Sequence, residues 1–125
     1  MNEGLGALLG IEVVSCEDDR AVVELEADDR HLNGHGTVHG GAIATLVDTV
    51  VVPAVGQAYE LGWMYVTVTM DIQYLGAVVE EDAIAEGWVE QRGKTLVFCA
   101  VEVASASGKR AAKGTLTYRV APPRG

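Results

Sequence analysis

The stretch from Asn33 to Asp48, NGHGTVHGGAIATLVD, decides the fold. A glycine pair, Gly40 and Gly41, follows His39 where an apolar segment begins, and that segment holds one carboxylate, Asp48. At about 100° per residue from Ile43, the residues Leu46, Val47, Val50, Val51 and Ala54 fall on one helical face. Asp48 falls on the flank with Ala44, Val52 and Val55. Such a helix is apolar nearly all round, which is the pattern of a buried one. Asp48 is its only charged group, and an unpaired buried charge costs several kcal/mol, so it needs a partner or a purpose.

The glycine loop suggests the purpose. A helix starting at Gly40 or Gly41 leaves its first N–H groups without intrahelical acceptors, at the positive end of the helix dipole. Glycine admits close approach of another molecule to that backbone. N–H donors for developing negative charge, together with a carboxylate, are the parts of a carbonyl-cleaving site. Gly40 and Asp48 are eight residues apart, roughly 12 Å along one helix. Both would have to come within about 3 Å of one reacting group. Two antiparallel copies of the helix meet that condition, which predicts a two-fold homodimer with shared active sites.

Outward from the helix, the pattern changes to period two. Ile11–Cys16 and Arg20–Glu26 read as strands around the turn Glu17-Asp18-Asp19, and 28–38 reads as a loop. The helix is expected from Gly41 to Tyr59, with Pro53 as a kink. Trp63–Leu75, Ala83–Gln91, Thr95–Ala104 and Ala111–Val120 follow as four strands. Arg92-Gly93-Lys94 and Ser107-Gly108-Lys109 fit hairpin turns. Leu5, Leu8 and Leu9 suggest a short first helix. The expected class is α+β in a single domain over 1–125, an antiparallel sheet wrapped around one long central helix.

Composition narrows the function. The 125 residues carry net charge −9, and 49% are apolar. Residues 1–91 hold two basic and seventeen acidic side chains, and 92–125 hold seven basic and one acidic. That acidity speaks against nucleic-acid binding. The basic third fits either hairpin tips or a compact phosphorylated ligand. There is no run long enough for a membrane span and no basic-then-apolar leader, so the expected location is cytoplasmic. Cys16 and Cys99 read as free buried thiols.

The motif Asn33…His39-Gly40-Gly41…Leu46-Val47-Asp48, with Val66–Leu75 and Gln91–Phe98, resembles the hotdog-fold acyl-CoA thioesterases. The likeness is strongest to the phenylacetate-pathway and hydroxybenzoyl-CoA type, and it runs from about residue 5 to 120. It implies that the Gly40 N–H polarises the thioester carbonyl, that His39 orients the loop, and that Asn33 positions water or the carbonyl. Asp48 of the partner subunit would be the nucleophile or general base, on the aspartate rather than the glutamate branch. Thr67 matches a hydroxyl position near it, and Arg92 and Lys94 match, more loosely, positions that meet coenzyme A phosphates. No cofactor is implied, coenzyme A being part of the substrate, and the assembly implied is a homodimer within a homotetramer. Thiolate leaves readily, so no strong acid is needed.

Other chemistries fit less well. His31, His35 and His39 recur every four residues, but Gly34 and Gly36 argue against a helix and nothing completes a ligand set, so no metal is expected. No serine lies in a nucleophile elbow, and Ser107-Gly108-Lys109 lacks the rest of a phosphate loop. A hotdog hydratase or dehydratase, or a non-catalytic acyl-CoA-binding protein, are the alternatives.

Overall fold

A computed structural model describes residues 9–28 and 37–123. Strand β1 (Ile11–Glu17) turns into β2 (Arg20–Leu25) through Asp18 and Asp19. Both aspartates have positive φ, 53° and 62°, the left-handed pair that a two-residue hairpin requires. Helix α1 (Gly40–Gly56) comes next, then β3 (Met64–Tyr74), β4 (Ala83–Arg92), β5 (Leu96–Ser105) and β6 (Arg110–Ala121). The six strands form one sheet in the order β1-β2-β4-β5-β6-β3, every neighbouring pair antiparallel. The expected α+β hotdog architecture is therefore present. Leu5 and Leu8 of the expected first helix lie outside the described residues.

The helix lies across one face of the sheet. It buries Ile43, Leu46, Val47, Val50, Val51 and Val55 against Val23, Leu25, Val97, Val101, Leu116 and their neighbours. Burying a side chain of this size stabilises by about 1.5–3 kcal/mol, so this contact dominates the fold. Close approach depends on Gly87 of β4, where a Cβ would stand 2.9 Å from Val50 Cγ1.

The helix ends at Gly56, three residues before the expected Tyr59. Its last carbonyls are taken by a side chain instead of by further turns: Arg92 Nη2 donates to Ala54 O at 3.4 Å and Val55 O at 3.1 Å. Val55, expected on the flank beside Asp48, is fully buried on the core side. Among the described residues, no helix is long and apolar enough to cross a membrane.

At the free edge, β3 leaves Met64, Val66, Val68 and Met70 exposed, with Val66 at 53% and Val68 at 54%. A register shift between Thr67 and Thr69 reverses the alternation there. Thr67, Met70 and Ile72 therefore oppose the inward residues Tyr118, Leu116 and Gly114 of β6, while Thr69 and Asp71 oppose the outward Thr117 and Thr115.

Candidate active site

Val38 N–H donates to Val78 O at 3.0 Å, and Thr37 bridges to Val79, so the chain enters α1 tied to the segment between β3 and β4. His39 is the N-cap, with extended backbone at φ −61° and ψ 138°. Its Nδ1 accepts the Gly41 N–H at 2.8 Å, which places the proton of the neutral ring on Nε2. The His39 carbonyl accepts from Ala42 N at 2.9 Å and Ile43 N at 3.2 Å. Tyr74 Oη donates to Gly40 O at 2.9 Å. Both peptide planes at the helix start are thus held, while the Gly40 N–H has no acceptor among the described residues. An open N–H at a fixed helix start is a donor for an oxyanion.

Two turns on, Asp48 is half-buried and has the partners its position demands. Thr67 Oγ1 donates to Oδ1 at 2.9 Å, and Tyr118 Oη donates to the same oxygen at 2.5 Å. Tyr118 Oη also lies 2.9 Å from the Asp48 carbonyl oxygen. The Tyr118 ring is 2% exposed. Burial first, and then the adjacent carboxylate, push its hydroxyl well above the ordinary tyrosine value, so it stays protonated and donates. Oδ2 of Asp48 receives no hydrogen bond from any described residue. The structure brings Thr67 to Asp48, and it sets His39 and Gly40 two turns away on the same helix. Asn33, His31 and His35 lie outside the described residues.

The model of the thioesterase superfamily matches residues 35–112, which include His39, Gly40, Asp48 and Thr67. This chain belongs to that superfamily. It is 37% identical over 109 residues to human acyl-coenzyme A thioesterase 13, covering 86% of this chain and 77% of the relative. The solved zebrafish thioesterase superfamily member 2 superposes with a TM-score of 0.84 at 34% identity, covering 94% of this chain and 87% of that one. A hypothetical thioesterase from Streptococcus pneumoniae, solved with coenzyme A, gives 0.81 at 28% identity, covering 92% and 88%.

In this thioesterase Arg92 is engaged at the far end of α1. Besides the helix carbonyls, Nη2 meets Asp19 Oδ1 at 2.8 Å, and the guanidinium lies 5.3 Å from the centre of the Tyr59 ring. Lys94 is exposed in the turn between β4 and β5. Cys99 is buried, and burial pushes its thiol up to about 11, so it is no nucleophile. Cys16 is exposed rather than buried as expected, because β1 is an edge strand, and its Sγ meets Pro53 O at 3.3 Å. No cluster of three or more metal-ligating side chains is present among the described residues.

Tyr74 and Tyr118 are the site residues that the sequence reading missed. Tyr118 did carry a signal. It alternates with Leu116 and Val120 on the inward face of β6, and a tyrosine on an apolar face needs a partner for its hydroxyl.

Proposed function

We propose that this thioesterase hydrolyses an acyl-CoA thioester, of aromatic or medium-chain acyl group, to the free acid and coenzyme A. The observation that carries the reading is Asp48: one carboxylate oxygen is anchored by two hydroxyls, the other has no donor, and an open N–H stands at the start of the same helix. Acting as base, Asp48 takes a proton from water as the water oxygen bonds the acyl carbon; the C–S bond then breaks and the thiolate leaves. Acting as nucleophile, its oxygen bonds the acyl carbon and expels thiolate, and water then cleaves the mixed anhydride. In both routes the Gly40 N–H stabilises the negative carbonyl oxygen. No cofactor is required, coenzyme A being part of the substrate.

Each site takes Gly40 from one protomer and Asp48 from its partner, with His39 orienting the Gly40 loop and Asn33 positioning water or the carbonyl. Three observations support this. The helix separates the two groups by about 12 Å. The edge strand β3 exposes a row of apolar side chains that a second chain would cover. Asp48 Oδ2 and the Gly40 N–H both lack a partner among the described residues, so each is free to meet a group that this chain does not supply. The coenzyme A phosphates would meet Lys94, with Arg92 supporting that end through its hold on Asp19.

The test is thiol release from a panel of acyl-CoAs and the matching acyl-pantetheines. Asp48→Asn keeps the shape and removes the base, and kcat should fall at least ~10³-fold. Near-normal hydrolysis by a folded Asp48→Asn would refute the assignment. Equal efficiency on acyl-pantetheine and acyl-CoA would refute phosphate recognition.

A further inference from the structure

Asp48 has two chemically equivalent oxygens, and its terminal torsion is intrinsically broad, so nothing in the residue itself says which oxygen reacts. The surroundings are not symmetric. Thr67 and Tyr118 face each other across the β3–β6 pair, and both hydroxyls end on Oδ1. The register shift that begins immediately after Thr67 keeps it inward while sending Thr69 and Asp71 outward. The Tyr118 hydroxyl reaches Oδ1 and the Asp48 backbone carbonyl together, which locks the side chain to its own helix. Its ring is buried in β6, which has a strand on each side, whereas Thr67 stands on the edge strand.

We propose that Tyr118 is a positioning residue for hydrolysis: with Thr67 it anchors Oδ1 of Asp48 and so makes Oδ2 the atom that acts on the thioester. Tyr118 has this role only if Asp48 is the reacting carboxylate, as proposed above. Two donors spread the charge of Oδ1 and occupy its lone pairs, leaving it the weaker base. Oδ2 keeps its lone pairs, on a helix flank where Ala44, Thr45, Thr49 and Val52 are half-buried.

Tyr118→Phe removes the hydroxyl and keeps the ring. A hydrogen bond to a charged group is worth a factor of roughly ten or more, so kcat should fall about tenfold with KM within about twofold. An unchanged kcat in the folded variant would overturn the proposal. So would a KM raised as much as kcat falls, which is what a loosened site rather than a misplaced carboxylate would give. Should Tyr118→Phe fail to fold, Thr67→Val removes the other donor at a more exposed position and is read by the same two criteria. Asp48→Asn, run alongside, separates the failures. If it is inactive while Tyr118→Phe matches the parent, only the positioning role falls; if it is fully active, the assignment of Asp48 falls too.

Discussion

Gly40→Pro isolates the oxyanion donor. Gly40 is the first residue of α1, and proline is favoured at that position because its missing N–H has no intrahelical acceptor to lose. The residue before a proline must be extended, and His39 already is, at φ −61° and ψ 138°. A Cβ at Gly40 would meet the Tyr74 ring at 3.6 Å, an ordinary contact. The substitution therefore deletes one N–H and leaves the cap and the helix in place. Glycine-to-proline at a compatible site stabilises by about 0.4–1 kcal/mol through the unfolded chain, so the melting temperature should hold or rise. Loss of one oxyanion donor typically costs 10²–10³ in kcat, about 3–4 kcal/mol of transition-state stabilisation, with KM little changed. Gly40→Ala restores the N–H and should lie within a few-fold of the parent. Steady-state thiol release, paired with thermal melts, reads both quantities. A folded Gly40→Pro whose kcat stays within about threefold of the parent would show that this N–H does not touch the transition state.

Three further outcomes are expected. Mixing Asp48→Asn chains with Gly40→Pro chains should give a heterodimer in which one site collects both lesions and the other neither, returning about half the parental activity; a verified heterodimer without recovery would place both groups within one chain. His39→Asn keeps a capping acceptor and should retain stability and most activity, whereas His39→Ala should lose about 1 kcal/mol in a urea titration. Cys99, held up to about 11 when folded against an ordinary 9.0, stabilises fully below pH 9 and loses that contribution as pH rises toward 11, about 3 kcal/mol in all. The urea midpoint should therefore drop more steeply between about pH 8.5 and about pH 10.5 in the parent than in Cys99→Ala, and equal slopes would count against it.

The features legible in the sequence are those that local chemistry imposes. The glycine pair behind His39 marks the helix start to within a residue, because cap and first turn are neighbours in the chain. Period-two alternation locates all six strands to within about a residue at each end. A lone aspartate on an apolar helix shows that a partner must exist, but which one depends on register, and Tyr118 lies seventy residues away. The same limit applies to Arg92. Its charge suggests a phosphate, yet the antiparallel pairing of β2 with β4 brings the Asp18–Asp19 turn beside it, and Asp19 takes the guanidinium. Cys16 misleads in a related way: a register shift after Val13 sets it opposite inward Ala21, yet β1 has no outer neighbour and the thiol stays exposed.

Strand order also governs when this site can exist. Among the described strands β3 hydrogen-bonds to β6 alone, and β6 is the last of the six in chain order, so it leaves the ribosome after the other five. Until residues 110–121 insert between β5 and β3, Thr67 has no strand to hold it and Asp48 has neither hydroxyl. The helix and the β1-β2-β4-β5 portion need no residue beyond Ser105 and can collapse earlier, whereas the β3–β6 pairing waits for the last of the six strands. Nascent or truncated chains that lack β6 would thus carry a packed helix with an unanchored carboxylate. Activity should appear only once β6 has joined the sheet.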